Sequence, residues 1–325
     1  EGAPGADDLR LEEVPVPPLG DDEVLIRNVH LSLDPTNRLW MSDREQYLPP
    51  VGLGEVMRGT TIGVVEESRS PKFAVGDLAM PAGGGWQLYT VEKAAAIRKL
   101  KADPRMPLTA YLSVLGVTGL TAYFGLIEVG EVKPGETVVI SAAAGAVGSI
   151  VGQIAKIKGC RVIGIAGGER KCRWLTEELG FDGAIDYKAE DVGAALDRLC
   201  PEGIDIGFEN VGGAIMDAVF ERLRLRGRLV VCGMISAYNA DGPISGPARF
   251  DQLLMRRLTI RGFIVIDYLA RGRDAFSALA DWIGKGEVRW KDHVIQGLDE
   301  APDALNRLFA GNHDGKLIVQ ISPEP

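Results

Sequence analysis

Only three histidines and four cysteines occur among the 325 residues, and neither type is spaced to wrap a metal ion. Cys160, Cys172, Cys200 and Cys232 form no CxxC pair, and His30, His293 and His313 share no ligand spacing, so no zinc site assembles by motif. Four scattered cysteines do not make a disulfide scaffold either; they read as small buried hydrophobes in a reducing compartment. Positive charge is also short. Lys and Arg number 36 against 45 Asp and Glu, a formal net charge of -9, and such a surface attracts neither nucleic acid nor an anionic membrane. No apolar run reaches the roughly 18 residues needed to span a bilayer, and no charged-then-apolar leader precedes Leu9. The chain opens at Glu1, not at methionine, and so says nothing of what stood before it. The expectation is a cytoplasmic protein without nucleic-acid or membrane partners.

What is present suits a globular enzyme: 46% hydrophobic and 25% charged residues, enough for two cores of ordinary domain size. The most informative stretch is TVVISAAAGAVGSIVGQIAKIKG, from Thr137 to Gly159. Its β-branched start suits a buried parallel strand, and Val147, Ile150, Val151, Ile154 and Ile157 then fall on one helix face. Between strand and helix stand Ala142, Ala143, Ala144 and Gly145, followed by Gly148, all small enough for a backbone to approach a phosphate at the helix N-terminus. Gly145, Ala146, Val147 and Gly148 are therefore the candidate pyrophosphate cradle. The strict dinucleotide fingerprint asks for a glycine where this chain has alanine, and a tight βα turn without a ligand is the competing reading.

The first third alternates in short runs, Glu23 to Asn28, Thr61 to Glu66 and Gln87 to Val91, and reads as a compact β domain. From Gly116 strands alternate with helices: Arg161 to Ala166, Ala184 to Tyr187, Ile204 to Phe208, Arg228 to Cys232 and Leu258 to Val265. This is the pattern of a doubly wound parallel sheet. After a helical Asp274 to Gly284, strand character returns between Val288 and Ile321, with one more helix around Ala301 to Phe309. The expected division is residues 1–115 with 288–325 as one domain and 116–287 as the other.

LEEVPVP, LSLDP, GVTGLTAYFGL, AAAGAVGSIVGQIAKIKGC, FENVGG, CGMISAYN and GKLIV occur in this order from Leu11 to Ile321. In these segments the chain resembles the zinc-free medium-chain dehydrogenase/reductase superfamily. Within it the chain is most similar to the prostaglandin reductase (leukotriene hydroxydehydrogenase-like) and curcumin or alkenal double-bond reductase group. The resemblance implies an α/β protein, a GroES-like β-rich domain beside a Rossmann domain, with the active site in the cleft between them. It also implies homodimerisation through Rossmann edge strands. Where zinc-using relatives keep Gly-His-Glu this chain has Arg58-Gly59-Thr60, Ser32 stands in place of a cysteine ligand, and the four-cysteine lobe is missing. Alcohol oxidation calls for a Lewis acid on the alkoxide, so hydride addition to an activated C=C bond is the expected chemistry.

No Asp or Glu ends the strand in VIGIAGGERK, where an NAD enzyme would hold the ribose hydroxyls; Gly167 and Gly168 leave room, and Arg170, Lys171 and Arg173 bring positive charge. The competing reading is a solvated basic helix start, although cations there oppose the helix dipole unless an anion binds. By resemblance, Lys171 and Tyr187 hold the 2′-phosphate of NADP(H). Further cofactor contacts carried over by position are Thr118, Asn210, Cys232, Gly233, Met234, Ile235, Ser236, and Phe263, Ile264 and Val265 beside the nicotinamide. From the residues alone, Phe263 to Val265 read equally well as strand core. Relatives carry an asparagine before the terminal Gly-Lys, whereas GNHDGK has His313 there and Asn312 as its substitute.

For catalysis the resemblance points to Tyr238 in ISAYN, beside the nicotinamide ribose and the substrate carbonyl. A phenol there would donate a hydrogen bond to the charge that grows on the carbonyl oxygen as hydride reaches the β-carbon. Delivery of the proton to the α-carbon stays open between Tyr238 and water. Tyr47 in EQYLPP resembles a second tyrosine on the substrate carbonyl; as an aromatic before two prolines it is equally a loop anchor. Trp40, Met41, Trp86 and Tyr268 offer an apolar wall for hydrophobic or aromatic enones, or simply core. The family's DPYMRGRM reads DPTNRLWM here, so substrate identity is not carried over. Enone or alkenal reduction with NADPH is the expected activity. Quinone reduction on the same scaffold, and a catalytically silent NADP-binding sensor, are the alternatives.

Overall fold

The computed structural model describes residues 2–5, 7–240, 242 and 244–325. Thirteen strands occur among them. The first five are β1 (Glu23–Ser32), β2 (Thr61–Ser68), β3 (Leu78–Pro81), β4 (Tyr89–Lys93) and β5 (Ile97–Lys99). Six more follow as β6 (Thr137–Ile140), β7 (Arg161–Ala166), β8 (Gly183–Asp186), β9 (Ile204–Glu209), β10 (Leu223–Val231) and β11 (Thr259–Gly262). The last two are β12 (Asp292–Gln296) and β13 (Lys316–Gln320).

Two compact units divide the chain, Glu1–Leu112 with Asp292–Pro325, and Ser113–Lys291. The first is strand-rich. Its sheet runs β12-β13-β1-β2-β3-β5, with β4 also pairing β1. Chain end and chain start meet in it, because β13 pairs antiparallel with β1, Ser32 opposite Ile318. The helix Ala301–Ala310 closes one side: Ala304, Leu305 and Leu308 pack on Leu31, Leu33, Leu317 and Val319. Strands β3 and β5 are too short to be legible as alternation, and β4 begins two residues later than expected because the Gln87 backbone N–H is turned to Gly85 O at 3.0 Å.

The second unit carries the doubly wound sheet. Its order is β11-β10-β9-β6-β7-β8, and every pairing in it is parallel. Strands at its centre are buried on both faces, which is why they read as continuous Val and Ile runs. The helix Ala146–Ile157 lies close on the sheet because Gly152 leaves room for the Phe181 ring, which an added Cβ would meet at 1.9 Å. Residues 288–291 stay with this unit. Gln153 fixes them, accepting from Arg289 N and donating to Arg289 O, both at 2.8 Å.

One sequence expectation is corrected here. The strand expected from Leu258 to Val265 covers only Thr259–Gly262, because β10 ends at Val231 opposite Gly262 and leaves an edge strand nothing further to pair with. Phe263 to Val265 are not strand core. The Phe263 ring turns instead into an aromatic cluster with Phe208 and Tyr268, at centroid distances of 6.5 and 6.3 Å, and a short helix begins at Val265.

Candidate active site

In the parallel sheet the strand order reverses between β6 and β9, and the loops at their carboxyl ends form the crevice where such sheets bind ligands. After β6 the chain turns through Ala142, which takes φ +47°, and enters the helix Ala146–Ile157 with Gly145 as its N-cap. No side chain caps that end, so its first N–H groups stay available to an anion. A Cβ on Gly148 would lie 2.5 Å from Ala142 O and 2.8 Å from Ala143 Cα, so only glycine lets the helix close on the turn. The alanine that departs from the strict fingerprint, Ala143, is accommodated by a glycine on the next strand. A Cβ on Gly164 would stand 2.8 Å from the Ala143 methyl.

Beyond β7 come Gly167 and Gly168, the latter at φ +98° with open space where a Cβ would be. The nearby carboxylate, Asp186, is turned inward: its Oδ1 accepts from Gly168 N at 2.8 Å and Lys188 N at 3.0 Å. It fastens two loops together and leaves the end of β7 without an acid. Tyr187, 42% exposed, and Lys188 both lie against Gly167, since an added Cβ would meet Tyr187 Cε1 at 2.8 Å and Lys188 Cε at 3.0 Å. Lys171 is half-buried in the short helix Glu169–Arg173, and Arg173 reaches Glu169 at 3.8 Å. Lys188 had no signal in the sequence beyond its neighbour Tyr187.

At the end of β9 stands Glu209, 1% exposed. Its Oε1 accepts from Ser141 Oγ (2.8 Å), Val211 N (2.5 Å) and Gly212 N (2.8 Å). Burial raises its pKa against the lowering effect of these donors. Asn210 is tied to the same serine, N to Ser141 Oγ and Nδ2 to Ser141 O, both 2.8 Å. The sequence reading passed over Glu209 and Ser141, whose pairing across 68 residues leaves no local pattern.

The segment after β10 is laced onto this loop. Cys232 N and Gly233 N donate to Glu209 O, Ile235 N to Asn210 O, and Ser236 N and Oγ to Val211 O. Tyr238 folds back so that its hydroxyl accepts from Met234 N at 3.2 Å. Asn210, Cys232 to Ser236 and Tyr238 are thus gathered at one end of the sheet. Burial, with Glu209 beside it, pushes the Cys232 thiol up to about 12, so it stays protonated. Thr118 is buried in the helix Val117–Phe124, and its hydroxyl is donated to Ser113 O at 2.7 Å. Tyr268 stacks on Phe124 at 5.0 Å and belongs to the aromatic cluster.

In the strand-rich unit, the Tyr47 hydroxyl is hydrogen-bonded to Thr36 Oγ1, and the ring is 39% exposed. Trp40 lies under the Arg58 guanidinium, 5.3 Å from ring centroid to Cζ. Met41 and Trp86 pack against the core formed by Leu31, Leu305 and Leu317. Ser32 Oγ donates to Asp34 Oδ2 at 2.5 Å, and Asp34 Oδ1 accepts from Lys316 Nζ at 3.1 Å. Asn312 is exposed, and His313 Nδ1 lies 3.4 Å from Arg307 O. No group of three or more His, Cys, Asp or Glu able to hold a metal occurs among the described residues, and no helix among them is long and apolar enough to cross a membrane.

Two family models match the chain, "N-terminal domain of oxidoreductase" over residues 1–100 and "Zinc-binding dehydrogenase" over residues 146–285. It is 42% identical to the NADPH-dependent curcumin reductase of Escherichia coli, an alignment covering 99% of this chain and 94% of that protein. Identity to the NADP(+)-dependent 2-alkenal reductase of Nicotiana tabacum is 40%, covering 99% and 95%. Prostaglandin reductase 1 of Bos taurus is 37% identical, covering 98% and 95%. Among solved structures, CurA of Vibrio vulnificus in complex with NADPH superposes with a TM-score of 0.94 at 44% identity, over 99% of this chain and 97% of that one.

Proposed function

This chain belongs to the medium-chain dehydrogenase/reductase family, in the group of curcumin, prostaglandin and alkenal reductases, and we propose that it reduces the C=C bond of α,β-unsaturated ketones or aldehydes with NADPH. One observation carries the cofactor half of this reading. The glycine-floored turn at the strand reversal is matched by an acid-free end of β7, with Gly167 and Gly168 giving space and Lys171, Tyr187 and Lys188 around it. That set fits a dinucleotide bearing a 2′-phosphate, since the Asp186 carboxylate beside the end of β7 is taken up by Gly168 N and Lys188 N. Titration of the protein with NADPH and NADH, followed by NADPH oxidation against an enone panel and a quinone panel, tests the reading. Turnover confined to quinones would favour the quinone-reductase alternative, and tight NADPH binding without turnover the silent sensor.

When bound, the nicotinamide supplies a hydride to the β-carbon of the enone. The backbone of Gly145 to Gly148 holds the pyrophosphate, Lys171 and Tyr187 hold the 2′-phosphate, and Asn210 with the segment Cys232 to Ser236 orients the rest of the dinucleotide. Phe263 to Val265 contribute backbone, because the Phe263 ring is committed to the aromatic cluster. Tyr238 Oη donates a hydrogen bond to the carbonyl oxygen as negative charge develops there, which stabilises the enolate-like transition state. In the free protein the same hydroxyl accepts from Met234 N. Tyr47, whose hydroxyl is bonded to Thr36 Oγ1, is the substrate contact from the strand-rich unit. A proton from Tyr238 or from water then adds at the α-carbon and completes the reduction.

Zinc independence is supported by the residue set: the Ser32 hydroxyl, the Asp34 carboxylate and the Lys316 ammonium satisfy one another. A homodimer formed along β11 is supported by the position of that strand at the end of the sheet and by exposed Phe250, Leu254 and Met255 beside it. Four free cysteines support a reducing compartment, the cytoplasm.

A further inference from the structure

Lys316, on β13, is 2% exposed. Its ammonium donates to Leu33 O at 2.5 Å, Asp34 Oδ1 at 3.1 Å and Leu317 O at 3.2 Å, so all three protons are used and the charge is balanced by one carboxylate. Burying such a pair brings little net stability, because an apolar pair of the same volume would do as well. What it supplies is a fixed position for what is attached to it. Asp34 is held from its other side, with Oδ2 accepting from Ser32 Oγ and N donating to Asn37 Oδ1 at 2.7 Å. Asn37, itself buried, donates from Nδ2 to Arg58 O at 3.0 Å and returns its backbone N–H to Asp34 O at 2.9 Å. Thr36 lies inside this clamp, and its hydroxyl carries the bond to Tyr47 Oη.

We propose that Lys316 is a positioning residue for substrate: its buried ammonium, acting through Asp34, fixes Thr36 and so sets where the Tyr47 phenol meets the substrate carbonyl. The proposal rests on the reading of Tyr47 as a substrate contact. Tyr47 is exposed and stands in a segment without regular structure, so the bond to Thr36 is what gives its hydroxyl a defined place. Thr36 is in turn on a helix of only five residues, Thr36–Trp40, too short to hold itself in water. Fixing both from the sheet therefore falls to the Lys316–Asp34 pair and to Asn37.

The experiment compares Lys316→Met, Asp34→Asn, Tyr47→Phe and the two double variants with Tyr47→Phe in the full-length protein. It reads kcat/KM and KM for a simple enone, the Kd for NADPH and the thermal midpoint. Lys316→Met keeps the side-chain length and removes the charge; it should lower kcat/KM about tenfold, mainly through KM, and leave NADPH affinity within about twofold. In the Tyr47→Phe background the same substitution should have almost no further effect, since both changes remove one contact. Should Lys316→Met fail to fold, Asp34→Asn carries the same expectation. A folded variant of either kind with wild-type kcat/KM, or losses that multiply fully with Tyr47→Phe, overturns the positioning role alone. Wild-type kcat/KM in Tyr47→Phe overturns the assignment of Tyr47 and this proposal with it.

Discussion

Replacing Tyr238 by phenylalanine removes one hydroxyl and keeps the ring, and the structure separates its two consequences. In the free protein the hydroxyl accepts a long hydrogen bond from Met234 N at 3.2 Å, at a half-buried site. Losing that acceptor costs about 1 kcal/mol of stability, the ordinary net worth of such a bond. In the proposed transition state the same hydroxyl faces developing charge, and removing a donor of that kind should lower turnover by roughly 10- to 1,000-fold, about 1.4 to 4 kcal/mol. The Asn210–Ser141–Glu209 network and the backbone bonds of Cys232, Gly233, Ile235 and Ser236 to the loop after β9 do not involve the hydroxyl, so NADPH affinity should stay within about twofold. Single-turnover NADPH oxidation with a saturating enone isolates the chemical step. A wild-type rate there would refute the reasoning and leave Tyr238 as a wall of the pocket.

Lys171→Ala should weaken NADPH binding by about 1.5 to 3 kcal/mol, the worth of a bond between charged groups, with NADH nearly unchanged by calorimetric titration; equal losses would mean Lys171 does not read the 2′-phosphate. Burial raises the pKa of Glu209 in the folded protein, so the stability linked to its ionisation is complete below the unfolded carboxyl value and is lost as pH rises through the folded one. The thermal midpoint of Glu209→Gln relative to wild type should therefore climb as the pH rises above the unfolded carboxyl value of about 4; a pH-independent difference would contradict the raised pKa. Exhaustive chelation should leave fold and turnover unchanged, and loss of activity restored by zinc would defeat the argument from the Ser32–Asp34–Lys316 set.

The sequence made the central sheet and the small-residue turn after β6 legible, because each rests on local chemistry: β-branched runs buried on both faces, and small residues where strand and helix must touch. Gly148 is the clearest instance, since the backbone atoms it abuts lie within six residues of it. Interactions across long separations left no such trace. Ser141 meets Glu209, and Lys316 reaches Leu33 across 283 residues, only after the sheets are assembled. Edge strand β11 was overextended for a related reason. Its apolar pattern runs on to Val265, but pairing depends on where β10 stops, and Phe263 has a better use against Phe208 and Tyr268.

Deuterium transfer tests the central claim most directly. With NADPH carrying deuterium at C4 of the nicotinamide on the transferable face, and an α,β-unsaturated ketone as substrate, the product is analysed by NMR. The account predicts a saturated ketone with one deuterium on the β-carbon and none on the carbonyl carbon. An allylic alcohol labelled at the former carbonyl carbon, or no labelled product despite tight NADPH binding, would contradict it.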